Sequence, residues 1–224
     1  MAHLTCWEFT ELPVEIIDVV ERDIKKFDNE VEDSNLTNNV VDKSIRDSHN
    51  SWIPESHWIT GWLWYYVEKI NRKNFVYDIT DFDAGTLQYT HYGPDQYYTW
   101  HSDDDVSRLH KPDALISTFT DKSQDDIIIN SEYVRKLSFS LQLSDPDQYT
   151  GGELEFSDNS GKTMFAPKQR GTMVVFDSRL KHRVRRVKSG LRKSIVGWVV
   201  GPRWKWRLLK MNNLKKMVIF FFQI

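Results

Sequence analysis

The feature that most constrains the fold is a change of pattern near residue 75, from helical periodicity to short β-prone segments. Apolar residues recur every three or four positions over 12–28, which predicts a helix. Residues 57–74 form a second, aromatic-rich helical segment, and the polar stretch 29–50 between them is typical of a loop. After residue 75, segments rich in β-branched and aromatic residues alternate with turn residues. The predicted strands are 75–82, 86–92, 135–144, 152–157, 162–167, 171–177, 182–187 and 193–200.

Two helices followed by about eight strands predict an α+β protein, with an antiparallel sandwich or jelly roll backed by the helices. We expect one structural unit with three regions. Residues 1–80 are the helical support and 81–202 are the β-rich core, which contains a long polar loop over 104–134. The tail, 203–224, is basic and then apolar, and is expected to form a last strand or helix or to mediate self-association.

Cysteine content and hydropathy exclude several classes of protein. The 224 residues contain one cysteine, Cys6, so neither an intrachain disulfide nor a cysteine-based metal site is expected. No run of 18 apolar residues exists, which predicts no membrane-spanning helix. The first ten residues lack a basic stretch followed by an apolar one, so we expect no secretory signal. A cytoplasmic location is the resulting expectation.

The charges are distributed unevenly, although the net charge is only −2. Residues 1–133 carry 11 basic and 26 acidic side chains, whereas 134–224 carry 19 basic and 6 acidic ones. A basic half can bind nucleic acid or another anionic ligand. Opposite charges in one small domain also tend to interleave, so we expect the two halves to fold against each other.

Three side chains form a candidate metal site. His101 and Asp103 are two residues apart, so in a strand both face the same side. His182 is the best candidate for a third ligand, because it follows the predicted strand 171–177 and begins another. Two histidines and one carboxylate on one face of an ion leave positions open, an arrangement that suits non-haem Fe(II). Alternatively, the His-x-Asp pair is a surface hydrogen bond.

Arg192 lies ten residues after His182 and is a candidate binder of a dicarboxylate. We predict a hairpin in which its strand returns beside the strand of His182. Because successive side chains of a strand point to opposite sides, Arg192, Ser194 and Trp198 lie on one face. An inward arginine is costly unless it is paired, and a carboxylate would pair with it bidentately, with Ser194 adding a hydroxyl. Alternatively, Arg192 belongs to a surface ion pair.

These motifs resemble the 2-oxoglutarate- and Fe(II)-dependent oxygenases, specifically the prolyl 4-hydroxylase-like group, over residues 85–202. The matching segments are Tyr92 to Asp103 with Tyr98 and His101, Arg135-x-Leu137-Ser138 with the Gly151-Gly152-Glu153 turn, Gly171 to Phe176, and His182 to Arg192. The chain departs from the group at Asp95, where a glycine is common, and in the length of the stretch after Asp103. Many collagen-type members have lysine where this chain has Arg192.

The resemblance implies a double-stranded β-helix, a jelly roll that holds the metal inside it. It implies that His101, Asp103 and His182 hold Fe(II) and that Arg192 binds the far carboxylate of 2-oxoglutarate. The co-substrates are then 2-oxoglutarate and O2, with ascorbate as a candidate reductant. In similar enzymes, hydroxylation of the substrate is coupled to decarboxylation of 2-oxoglutarate to succinate.

The resemblance also suggests residues that contact the co-substrate and the substrate. Tyr92 matches a tyrosine near the co-substrate, and Tyr98 matches one that lines the co-substrate and substrate pocket. Arg135 and Trp198 match positions that contact the peptide in prolyl hydroxylases. Each aromatic residue can instead be ordinary cross-strand or core packing, and Arg135 can simply precede a strand.

The favoured activity is hydroxylation of prolyl residues in a peptide or protein, because similar enzymes fold the loop matching 104–134 over an extended and sometimes proline-rich peptide. Hydroxylation of a free amino acid or another metabolite uses the same iron residues and stays open. A non-catalytic binding module on the same scaffold would be expected to lack a metal or arginine position. A nucleic-acid demethylase is less favoured, because no aromatic stacking platform can be located by spacing.

Overall fold

The computed structural model describes residues 7–30, 32–34, 42–104, 133–158 and 160–204. Most of the predicted loop 104–134 and of the tail 203–224 therefore lies outside the described residues. The same is true of Cys6. Within the described ranges, no helix has both the length and the apolar character needed to cross a bilayer.

Two α-helices and fifteen strands form the described part of the chain. The helices are α1 (Val14–Ile24), followed by a 3₁₀ helix at Lys25–Glu30, and α2 (Trp58–Ile70), followed by a π-helical turn at Asn71–Phe75. The strands are β1 (Trp7–Glu11), β2 (Glu32–Asp33), β3 (Arg46–Asp47), β4 (His49–Ile53), β5 (Asp81–Phe82), β6 (Leu87–Tyr92), β7 (Tyr97–His101), β8 (Tyr133–Gln142), β9 (Tyr149–Gly151), β10 (Leu154–Ser157), β11 (Thr163–Phe165), β12 (Thr172–Asp177), β13 (Lys181–Val184), β14 (Val187–Gly190) and β15 (Arg192–Pro202). Short 3₁₀ turns at Asp83–Gly85 and Pro146–Gln148 complete the elements.

The described strands form two facing antiparallel sheets. The major sheet has the order β1-β12-β8-β15-β6-β4-β2, with β5 added beside β15. The minor sheet has the order β11-β10-β13-β7-β3, and β9 pairs with β14 separately. This is the predicted α+β arrangement of a double-stranded β-helix, a jelly roll backed by helices, and the fold class is confirmed.

The helices cover the outer face of the major sheet and form the main hydrophobic core with it. Ile17, Val20 and Ile24 recur along α1 at helical spacing and are fully buried. They belong to one cluster with alternate residues of β8, such as Leu137 and Phe139. Burial of this apolar area, at about 25 cal/mol per Å², is the main force that holds the helical layer to the sheet.

The N-terminal region differs from the expected helical support because it also supplies strands to both sheets. β1 pairs with β12, β4 pairs with β6, and β3 pairs with β7. The prediction that 29–50 is a loop, made because the stretch is polar and rich in turn residues, is wrong where β2, β3 and the start of β4 lie. The structure explains this pattern, since Asn50 and Ser51 of β4 are buried polar residues.

Ion pairs join the acidic and basic halves of the chain. Arg135 pairs with Asp83 at 2.6 Å, and Arg170 pairs with Asp18 at 2.7 Å and also with Glu21. The two halves therefore interleave, as expected from their opposite charges.

A partly buried histidine at the helix–sheet interface, His91, predicts a pH-dependent stability. Burial lowers the pKa of His91 to about 4, although the nearby Asp28 acts to raise it. The unfolded chain, with an ordinary histidine pKa near 6.5, binds more protons than the folded chain between these two values. We therefore expect the free energy of unfolding to fall by about 3 kcal/mol as the pH decreases from about 6.5 to about 4. Urea unfolding at several pH values measures this, and His91→Gln should remove that part of the slope.

A second prediction concerns the glycine turn that leads from β9 to β10. Gly151 has a φ of +76°, and a Cβ there would lie 2.2 Å from the carbonyl oxygen of Arg186. Gly161 has a φ of +82° but open space around its Cβ position, so it is a matched control. We expect Gly161→Ala to cost about 1 kcal/mol of stability through its backbone alone. Gly151→Ala should cost at least about 2 kcal/mol more, because strand pairing must shift. Equal costs in chemical denaturation would contradict this.

Candidate active site

His101, Asp103 and His182 lie together between the two sheets. One ligand atom from each residue lies within 4.8 Å of the others. Nε2 of His101 is 3.7 Å from Oδ1 of Asp103, and Nε2 of His182 is 3.5 Å from Oδ2 of Asp103. The three side chains are largely buried. Among the described residues, this is the one cluster of histidine, cysteine and carboxylate side chains that could hold a metal ion.

The minor sheet and one loop position these ligands. His101 ends β7 and pairs with His182 of β13 across the antiparallel ladder. Asp103 lies beyond the end of β7, so strand alternation does not explain its orientation as the sequence suggested. Its backbone N–H instead donates to the carbonyl of Ser178 at 2.8 Å. The loop between β12 and β13 therefore holds the carboxylate beside both imidazoles.

Backbone carbonyls fix the orientation of both imidazole rings. Nδ1 of His101 lies 2.7 Å from the carbonyl oxygen of Thr99, and Nδ1 of His182 lies 2.9 Å from that of Leu180. A carbonyl only accepts, so both Nδ1 atoms carry the hydrogen and both Nε2 atoms keep a lone pair. This arrangement is typical of histidines that ligate a metal.

The electrostatics keep the ligands in the protonation states that bind a cation. Burial acts to raise the pKa of Asp103, but the two histidines, Arg135 and a hydrogen bond from Ser138 hold it below its usual range. Burial and the neighbouring His182 lower the pKa of His101. Asp103 is therefore ionised and His101 neutral at pH 7, the forms that donate electron pairs to a metal.

This donor set fits Fe(II). Two neutral imidazole nitrogens and one carboxylate on one side of an ion leave positions open on the other side. Asp103 is ionised in this buried site, so its full negative charge is available to hold a divalent cation between the two imidazoles.

Arg192 lies in a buried pocket on the inner face of the major sheet. The side chain is 4% exposed and donates from Nη1 to Oγ of Ser194 at 3.2 Å. Within the described ranges, no carboxylate pairs with it. Its Cζ atom lies 5.7 Å from the centre of the Tyr92 ring. A buried arginine with neutral neighbours is a binding site for an anion, and its planar group suits a carboxylate.

The pocket around Arg192 contains polar residues that sequence analysis missed. The hydroxyl of Tyr149 contacts Arg192 and accepts a hydrogen bond from Nε2 of Gln142 at 3.0 Å. Oγ1 of Thr172 is buried and has no partner. The residues that line this pocket are Ser140, Gln142, Tyr149, Gly152, Leu154, Ala166, Pro167, Lys168, Thr172, Val174 and Arg192. The alternation of Ser138, Ser140 and Gln142 with apolar residues along β8 is the signal that could have revealed this polar face.

The predicted hairpin between His182 and Arg192 is wrong. β13 and β15 lie in different sheets, because β14 leaves the sandwich to pair with β9. Arg192 therefore reaches the interior from the major sheet, whereas His182 reaches it from the minor sheet. The expected alternation along β15 does occur, since Arg192 and Ser194 share the inner face.

The other side chains predicted to contact the co-substrate or the substrate lie near the candidate metal ligands and Arg192. Tyr98 stacks on the ring of His101 with centroids 3.6 Å apart, and burial raises its pKa to about 12. The guanidinium of Arg135 lies 4.3 Å from the centre of the Trp198 ring. Tyr92 is buried beside Arg192, whereas Tyr89 of the same strand faces the helices on the other side of the sheet.

Comparison with known proteins agrees with this fold. The chain matches the 2OG-Fe(II) oxygenase superfamily over residues 87–200, about half of its length, and it belongs to that superfamily. This membership implies Fe(II), 2-oxoglutarate and O2 as cofactor and co-substrates. A PKHD-type hydroxylase of Rippkaea orientalis is 40% identical over 63 residues, which are 28% of each chain. The matched segment thus spans less than a third of that relative's length.

Two solved structures share the fold over most of the chain. A prolyl-4-hydroxylase of Pseudomonas putida superposes with a TM-score of 0.62 at 19% identity, covering 88% of this chain and 93% of that one. A prolyl hydroxylase of Trichoplax adhaerens, in complex with a peptide fragment of the oxygen degradation domain of hypoxia inducible factor, gives a TM-score of 0.63 at 16% identity. That match covers 87% of this chain and 83% of the other.

Proposed function

We propose that this protein is a Fe(II)- and 2-oxoglutarate-dependent hydroxylase that acts on prolyl residues of a peptide or protein. One observation carries the proposal: a candidate metal site and a buried arginine lie inside the same sandwich, on opposite sheets. The minor sheet supplies two imidazoles and a carboxylate, and the major sheet supplies a buried arginine that has no carboxylate partner in the described part of the chain. The names of the relatives and of the two solved structures support the prolyl substrate.

The residues present can divide the work of such a reaction. His101, Asp103 and His182 would hold Fe(II), and Arg192, with Ser194 and Tyr149 beside it, would bind the far carboxylate of 2-oxoglutarate. Bound Fe(II) supplies the chemistry that couples O2 reduction and decarboxylation of 2-oxoglutarate, yielding succinate and CO2, to conversion of a substrate C–H bond into C–OH.

The protein also contributes aromatic rings that exclude water from the candidate metal site. Phe176 lies edge-on to His182 with centroids 4.7 Å apart, and Tyr98 covers His101. Both rings shield the ligands from water, which lowers the pKa of His101 and strengthens electrostatic interactions inside the site. We also propose a cytoplasmic location, which agrees with a single cysteine and with the need for reduced iron.

A measurement of succinate tests this proposal. Purified protein is supplied with Fe(II), 2-oxoglutarate and ascorbate under air, with and without a pool of proline-containing peptides. We expect peptides to stimulate succinate formation and His101→Ala to abolish it. Succinate without peptide stimulation would retain the oxygenase but favour a free amino acid or another metabolite. No succinate, together with no thermal stabilisation by 2-oxoglutarate in iron-loaded protein, would favour a non-catalytic binding module.

A further inference from the structure

A second arginine, Arg46, is buried between the sheets close to the metal ligands. It lies in β3, opposite Tyr98 of β7, and is 6% exposed. Its Nε donates to Oγ of Ser48 at 2.9 Å, and its Nη2 donates to Oε1 of Gln88 at 2.6 Å. Its Cζ lies 5.0 Å from the centre of the Tyr98 ring. Only the ring of Tyr98 separates this guanidinium from His101, on which Tyr98 stacks.

The partners of Arg46 are all neutral. No carboxylate pairs with it among the residues that the structure describes, in contrast to Arg135, which is held by Asp83 at 2.6 Å. Burying an arginine without a counter-charge costs several kcal/mol. In the proposed hydroxylase, Asp103 and the two carboxylates of 2-oxoglutarate carry three negative charges, which Fe(II) and Arg192 neutralise. The charge of Arg46 then stays without a carboxylate partner among the described residues.

Two further buried polar atoms without partners lie in the same region. Asn50 of β4 pairs with Thr90 of β6, so it shares the inner face with Gln88, and its Oδ1 is buried without a hydrogen bond. Nε1 of Trp198 is also buried without a partner. Buried polar atoms are almost always hydrogen-bonded in folded proteins. Among the described residues, Arg46 lacks a carboxylate partner, Nε1 of Trp198 lacks an acceptor and Oδ1 of Asn50 lacks a donor, so the three groups indicate a polar ligand whose anionic group faces Arg46 and which also offers an N–H or O–H.

We propose that Arg46 forms a subsite that binds a carboxylate of the substrate next to the carbon that reacts, and that Oδ1 of Asn50 accepts a hydrogen bond from an N–H of the same substrate. This inference rests on the proposed function and specifies its substrate class. Two kinds of substrate carry such a carboxylate. One is a free amino acid, through its α-carboxylate, and the other is a peptide, through an aspartate or glutamate side chain. Because one ring separates Arg46 from the metal ligands, the acidic residue of a peptide would lie within one or two positions of the reacting one.

Substrate binding measured without turnover tests the subsite. Protein loaded with Fe(II) and 2-oxoglutarate is kept under nitrogen, and dissociation constants are measured by calorimetry for two pairs of probes. The first pair is a blocked pentapeptide with aspartate beside proline and its asparagine twin, and the second is proline and prolinamide. We expect wild type to bind the carboxylate member of one pair at least about tenfold more tightly, and that pair identifies the source.

Variants separate a binding role from a structural one. Arg46→Gln should remove the preference for the carboxylate, Arg46→Lys should keep part of it, and the exposed Arg185→Gln should leave it unchanged. Asn50→Asp gives Arg46 an internal counter-charge, so it should also remove the preference, and it serves if Arg46→Gln does not fold. Thermal stabilisation by 2-oxoglutarate should persist in every variant.

The proposal is overturned if wild type prefers neither carboxylate, or if the preference survives in Arg46→Gln or, should that variant not fold, in Asn50→Asp. These outcomes differ from failure of the proposed function, which would appear as wild-type protein that neither binds 2-oxoglutarate nor forms succinate.

Discussion

Asp103→Asn is expected to lower the affinity for Fe(II) by more than about 100-fold and to abolish succinate formation. Loss of a residue that merely supports a ligand already costs about 10–100-fold in metal affinity, so loss of a ligand's charge should exceed that range. The substitution preserves the shape of the side chain and leaves the backbone bond from Asp103 to Ser178 intact. Iron content after dialysis and succinate formation measure the two effects.

Stability distinguishes this result from misfolding. The fold favours the ionised Asp103, because its neighbours hold its pKa below the usual range, so the metal-free Asp103→Asn variant should lose some stability but still unfold cooperatively. Asp95→Asn is the matched control, because Asp95 is exposed and has a φ of +68°, which asparagine tolerates. A variant that retains iron and activity would show that Asp103 is not a ligand.

The three candidate metal ligands could be brought together from sequence because their types and spacing are distinctive. His101 and Asp103 are close in the chain, and His182 follows a clearly β-prone segment, so little tertiary information was needed. The fold class followed similarly from two helical patterns and a series of short strands. The pairing partner of each strand did not follow, since nothing local shows that β14 leaves the sandwich and places β13 and β15 in different sheets.

The residues that sequence analysis missed lie where interior positions are polar. Arg46 and Asn50 occupy two short strands without apolar alternation, so this segment was predicted to be a loop. Tyr149, Gln142 and Thr172 come from three separate strand regions that meet only in the folded chain. Hydrophobic patterning identifies faces that pack against apolar neighbours, and it therefore fails at an interior face built for a charged ligand.

Arg192→Gln is expected to raise the concentration of 2-oxoglutarate needed for half-maximal binding by about 30-fold or more, with Fe(II) affinity unchanged. Truncating one partner of a buried, hydrogen-bonded charge pair costs about 2–5 kcal/mol, which sets this scale. Arg192→Lys should give an intermediate effect, because lysine keeps the charge but loses the planar, two-pronged geometry. Arg185→Gln, an exposed position of the same basic segment, is the control.

The thermal response of Arg192→Gln separates a ligand-binding arginine from one that holds the two sheets together. Arg192 is buried among neutral partners, so its replacement relieves an uncompensated charge in the unliganded protein. The melting temperature without 2-oxoglutarate should therefore not fall, whereas the increase that wild type shows on adding 2-oxoglutarate should largely disappear. A large fall in the unliganded protein, with the 2-oxoglutarate response preserved, would instead make Arg192 a structural residue and remove it from the proposed co-substrate pocket.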